Sequence, residues 1–121
     1  SKKEDFKLVV CLDNMNSDNL NKYVGNADVL VHECTYAFTE ETKNDDISLT
    51  QKAVNHGHST NRMASSVSKK LNCSKLILTH FSNRYELVDG KMNIEDFLIE
   101  DCKKISNCEV FCAYDFSEFI L

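Results

Sequence analysis

The chain has 121 residues, of which 42% are hydrophobic and 27% charged, and its formal net charge is −5. This supplies one domain with a modest core. It excludes a broad basic surface for nucleic acid, although a single positive pocket fits inside an acidic chain. No apolar stretch approaches the length of a membrane span.

The N-terminal SKKEDF matches neither a signal peptide nor an amphipathic transit peptide and reads as a cut into a longer protein. FKLVVCL (6–12) predicts a strand. Ser17 is an N-cap for DNLNKYV, which runs helically to a stop at Gly25. DVLVH (28–32) is a short β-branched strand. Residues 35–55 are polar and acidic, with ISLTQKAV as a short helix, and are expected to form a surface excursion or lid. Ser59 or Thr60 caps a helix ending near Asn72, with Met63, Val67 and Leu71 as its core face. KLILT (75–79) is a strand, and FSNRYELVDGK is a loop. NIEDFLIEDCKKIS is a helix with Ile94, Phe97, Leu98 and Ile105 inward. EVFCAY (109–114) is the last strand, and FSEFIL an apolar tail. The alternation of strands and helices predicts an α/β layer.

The chain has no proline and six cysteines, at 11, 34, 73, 102, 108 and 112. No two cysteines form a C-x-x-C pair, and four lie in or beside apolar runs. They read as reduced, buried, small hydrophobes of a reducing compartment.

Each strand-like run stops at a residue able to bind a metal or move a proton: Asp13, His32 with Glu33, His80, and Asp115. In open α/β sheets the working site lies beyond the carboxyl ends of the strands, so this placement suits a catalytic rim. His80 is either a metal ligand or a strand-end histidine bonded to a carbonyl. Asp13 is a bridging carboxylate or the opening of a turn. His56 and His58 face one side of an extended segment, which suggests a weak H-x-H pair. Alternatively, His58 precedes a helix N-terminus that would hold a phosphate, where an imidazole can protonate a leaving oxygen. Glu33 orients His32, acts in a relay, or is a solvated strand end. Arg84 offers a planar fork for phosphate or makes a surface salt bridge. Tyr85 reads as packing. Asp115 is an outer partner fixing a histidine tautomer or a turn residue.

Together, HECT (32–35), GHST (57–60), LTHFSNRY (78–85) and Ala113-Tyr114-Asp115 resemble the carboxyl half of ribonuclease Z, the tRNA 3′-end processing endonuclease of the metallo-β-lactamase fold. The resemblance covers about residues 6–118. It implies half of an αββα sandwich, with residues 1–121 as a single carboxyl-terminal segment. Asp13 then matches the bridging aspartate of a two-zinc centre and His80 a zinc ligand. His58 matches the histidine that protonates the leaving ribose oxygen, assisted by Glu33. Ser59, Thr60, Arg84 and Tyr85 match residues at the phosphate end of the cleft, with His32 and Asp115 in support. The implied substrate is precursor tRNA, from which a 3′ trailer is removed. Leu12 and Asn14 stand where the family has glycine and threonine.

The family's His-x-His-x-Asp-His motif is absent. The resemblance therefore implies an amino-terminal half as partner, an isolated chain that is inactive and short of zinc ligands, and apolar surface prone to self-association. Two other readings keep the fold: a hydrolase of another phosphodiester or thioester, or a non-catalytic interaction module. The compartment is expected to be intracellular, with nucleus, mitochondrion and cytoplasm equally compatible, and no membrane is involved.

Overall fold

The computed structural model describes residues 6–12 and 25–114. Asp13, Asn14, the helix expected from Ser17, Asp115 and the FSEFIL tail lie outside the described residues. The elements in chain order are β1 (Leu8–Cys11), β2 (Val29–Glu33), α1 (Asp46–Asn55), α2 (Asn61–Lys70), β3 (Lys75–Thr79), β4 (Leu87–Val88), β5 (Lys91–Met92), α3 (Glu95–Lys103) and β6 (Glu109–Cys112).

β1, β2, β3 and β6 form one sheet in that order, with every neighbouring pair parallel. Parallel strands need crossover connections, and among the described residues α1 and α2 lie between β2 and β3, and α3 between β3 and β6. The register aligns Val9, Leu30, Leu76 and Val110 in one row and Cys11, His32, Leu78 and Cys112 in another. Successive side chains alternate between faces, so these rows share one side of the sheet. There they join Ala64, Val67 and Leu71 of α2 and its end, and Leu98 and Cys102 of α3, in the main core. All six cysteines are free and buried.

The opposite face is open at its edge. Phe6, Leu8, Val10 and Leu12 are each about half exposed, at 52%, 47%, 54% and 51%. Apolar side chains in such a row are what a second layer would cover.

Three expectations shift in detail. Met63 is only half-buried, and the fully buried Ala64 takes its place on the α2 core face. On α3, Leu98 is fully buried while Ile94 and Phe97 are half-buried, because Asp101 and Cys102 occupy the inward positions. The expected loop after His80 contains the β4–β5 hairpin, turned by Asp89 and Gly90 at φ of 56° and 78°. Two consecutive positive φ values are the signature of a type I′ turn, for which Asp-Gly is a preferred pair.

The segment over 35–55 divides in two. Tyr36, Ala37 and Phe38 are buried, whereas Glu40, Glu41 and most of α1 are exposed. A buried polar cluster fastens the first part. Phe38 N–H donates to Asn61 Oδ1 at 2.9 Å, and Asn61 Nδ2 donates to Asp101 Oδ2 at 2.9 Å. Arg62 donates to the same carboxylate through Nε at 2.8 Å and Nη2 at 3.1 Å. Its guanidinium also covers the Phe38 ring at 3.8 Å.

Candidate functional site

β2 and β3 are neighbours, with Glu33 in register with Thr79. Their carboxyl ends therefore deliver Glu33–Thr35 and His80 side by side. The third component is the turn ahead of α2, bound to the β2 extension by a parallel bridge between Tyr36 and Thr60.

Glu33 is fully buried. Its Oε2 accepts the Thr35 N–H at 2.9 Å, and its Oε1 accepts the Ser59 N–H at 3.1 Å. His58 Nδ1 lies 3.0 Å from the same Oε1, with the His58 side chain 27% exposed. A carboxylate oxygen in this setting accepts, so His58 carries its hydrogen on Nδ1 and uses Nε2 for any outward chemistry. His80 is exposed, sits at a φ of 64°, and its ring centre is 5.9 Å from that of His58. Thr35 Oγ1 lies 3.2 Å from Nδ1 of each histidine.

Glu33, His58 and His80 each offer a donor atom, and these atoms lie within 4.8 Å of one another. One carboxylate oxygen and two imidazole nitrogens form a donor set that zinc accepts. They could hold a metal ion in part, short of the full set a two-ion centre requires. His80 also lines a cleft of about 790 Å³ together with Ser82, Tyr85, Tyr114 and Leu12. Leu12 brings the end of β1 to the cleft, and Asp13 itself falls outside the described residues, as does Asp115.

Other residues singled out in the sequence occupy different surroundings. His32 is fully buried, and its Nδ1–H donates to the Glu33 carbonyl oxygen at 2.8 Å. Glu33 thus meets His32 through its backbone and gives its carboxylate to His58. His56 is exposed at the end of α1, donating from Nδ1 to the Lys52 carbonyl at 2.8 Å, and does not join the cluster. The Thr60 hydroxyl caps α2 by accepting the Met63 N–H at 3.2 Å. Arg84 is exposed, with its guanidinium 5.0 Å from the Tyr36 ring centre and Nε donating to Ser82 Oγ at 3.2 Å. The Tyr85 hydroxyl accepts the Ala37 N–H at 2.7 Å, and burial pushes its phenol pKa up. Burial likewise pushes up the thiol of Cys34, between Glu33 and Thr35, so it is held as a neutral packing group.

Thr35 is the member that sequence reasoning missed. Its sequence signal was its place in HECT, directly after the strand that carries Glu33.

No family model matches the chain. Over 94 residues it is 38% identical to ribonuclease Z of Brevibacillus brevis, covering 78% of this chain and 27% of that protein. Over 119 residues it is 40% identical to ribonuclease Z of Macrococcus caseolyticus, covering 97% of this chain and 34% of that protein. The chain therefore spans about a quarter to a third of the length of these curated relatives. Its fold resembles the metallo-β-lactamase fold protein YhfI from Bacillus subtilis, with a TM-score of 0.64 at 22% identity, over 90% of this chain and 37% of that one. Sequence likeness and fold agree: the chain is similar to a part of ribonuclease Z, and its fold is that of a metallo-β-lactamase fold protein.

Proposed function

We propose that this chain is one carboxyl-terminal segment of a zinc-dependent endoribonuclease that removes 3′ trailers from precursor tRNA. The observation that carries the reading is the buried Glu33 carboxylate bonded to His58 at 3.0 Å, beside His80 at the ends of two adjacent parallel strands. The ribonuclease Z relatives support the substrate class.

Glu33 holds the His58 ring through the 3.0 Å bond to Nδ1. Protonated His58 then donates from Nε2 to the leaving ribose oxygen as the phosphodiester bond breaks. Positioned acid catalysis of this kind contributes about 10²–10⁴-fold. Ser59, Thr60, Arg84 and Tyr85 are assigned to the phosphate end of the cleft, where Arg84 supplies the exposed positive charge. His80 and Asp13 are assigned as zinc ligands, with His32 and Asp115 in support. Zinc, when bound, supplies Lewis-acid stabilisation of phosphoryl oxygens and a more acidic water.

The remaining ligands belong to an amino-terminal half, and the half-exposed row of Phe6, Leu8, Val10 and Leu12 supports a missing layer. The same row makes self-association of the isolated chain an expected side effect. Alone, the chain neither cleaves RNA nor holds two zincs. Its free, buried cysteines support an intracellular, reducing compartment. No helix among the described residues is long and apolar enough to cross a membrane.

The test is cleavage of precursor tRNA by the parent protein that contains this segment. His58→Ala and Glu33→Gln should each lower kcat about 10²–10⁴-fold. Unchanged cleavage in both variants would refute the assignment.

A further inference from the structure

One hydroxyl stands between the two histidines without a role in the chemistry proposed above. Thr35 Oγ1 lies 3.0 Å from the His80 carbonyl oxygen, 3.2 Å from His80 Nδ1 and 3.2 Å from His58 Nδ1. Through its backbone, Thr35 donates to Glu33 Oε2 at 2.9 Å and accepts the Ser82 N–H at 3.1 Å. It therefore contacts the carboxylate, both imidazoles and the loop after His80.

The protons can be counted. A hydroxyl has one hydrogen and two acceptor sites. The His80 carbonyl can only accept, so the hydroxyl hydrogen goes there. The contact with His80 Nδ1 must then be an Nδ1–H donating to Oγ1. His58 Nδ1 has the Glu33 carboxylate, a stronger acceptor, at 3.0 Å. With these bonds made, both rings carry hydrogen at Nδ1. Backbone geometry points the same way. His80 is a non-glycine residue in the left-handed region, at a φ of 64°, a conformation that persists only where its surroundings hold it. Thr35 bonds both the His80 carbonyl and the Ser82 N–H, bracketing that residue.

We infer that Thr35 is a positioning residue that clasps His80 at Nδ1 and its carbonyl, fixing the Nδ1–H tautomer so that Nε2 is the atom offered to a metal. Hydrogen-bond partners of ligating histidines act in this way, setting both tautomer and ring orientation. The metal role rests on the function proposed above, whereas the tautomer does not.

The first experiment uses the chain labelled with 15N-histidine, in long-range 1H–15N correlation spectra at a pH where the rings are neutral. His80 should show a protonated Nδ1 and an unprotonated Nε2. Thr35→Val keeps the shape and deletes the hydroxyl, and should convert His80 to a mixture of tautomers. Thr35→Ser should restore the wild-type pattern. His58, held by Glu33, should keep its tautomer in both variants, which reports that the site is still folded. A wild-type His80 protonated at Nε2, or a Val variant with unchanged His80, overturns the inference. Should Thr35→Val unfold, the wild-type spectrum alone decides.

The second experiment is zinc competition with a chelator in the parent protein. Thr35→Val should weaken binding about 10–100-fold, with Thr35→Ser close to wild type. Equal affinity in all three overturns the metal part. A tautomer that responds in a protein that does not cleave precursor tRNA would sink the nuclease reading and leave this one standing.

Discussion

Replacing Asp101 by alanine is expected to destabilise the chain severely although it lies on a helix remote from the strand ends. Asp101 is 4% exposed and accepts three hydrogen bonds, two from Arg62 and one from Asn61. Hydrogen bonding to this carboxylate is also the main reason the Arg62 pKa is raised. Removing one partner of such a pair leaves a guanidinium and a buried amide without their acceptor. Complete burial would place the loss at 3–5 kcal/mol, but the Arg62 side chain is 24% exposed and keeps the Lys43 carbonyl and a 3.5 Å contact to Asp46, so about 3 kcal/mol is the better figure. At roughly 4 °C per kcal/mol for a domain of this size, Tm should fall by about 12 °C. Urea unfolding measures the same loss as a lower midpoint at unchanged slope. The double variant Arg62→Met with Asp101→Leu removes both charges and should recover most of the stability. A loss below about 1 kcal/mol for Asp101→Ala, or a double variant no better than the single, would refute the claim that an uncompensated charge is the cause.

The cap of α2 provides a smaller effect. Thr60→Ala removes the hydroxyl that accepts the Met63 N–H and should cost about 1 kcal/mol by urea unfolding, while Thr60→Ser should cost far less. Alkaline pH provides a third. Burial pushes the Cys73 and Cys102 thiols from 9.0 up to about 11. The unfolded chain releases these protons near pH 9 and the folded chain only near pH 11, so their contribution is intact below pH 9 and is lost between the two values. The urea midpoint should drop between pH 8 and 10.5, and drop less in Cys73→Ala and Cys102→Ala. Identical pH dependence in the variants would show that the thiols contribute nothing.

The strands were legible because short apolar runs such as VLV and LIL, bounded by polar residues, read as buried strands, and their carboxyl-terminal residues announced the rim. The partition of the site was less legible. HECT places His32 and Glu33 next to each other, yet they serve opposite sides of β2, one in the core and one against His58. Asn61, Arg62 and Asp101 escaped notice because the contact joins residues about 40 apart, and nothing in either segment announces the other. Met63 is half-buried while Ala64 is fully buried in the main core, a one-position shift that the four-residue spacing of Met63, Val67 and Leu71 did not reveal. Asp89-Gly90 was the opposite case: a local signal sufficient to specify the hairpin, hidden by the polar text around it.

Among the described residues, the strand that ends in Glu33 and the strand that leads into His80 are the interior ones, each flanked by ladders on both sides, while β1 and β6 have one neighbour apiece. Backbone amides of β2 and β3 should therefore exchange with solvent only in the largest opening events, and those of β1 in smaller ones. Fraying at either margin would leave the Glu33–His58 bond in place. The Glu33 carboxylate is thus seated on the part of the described sheet expected to open last.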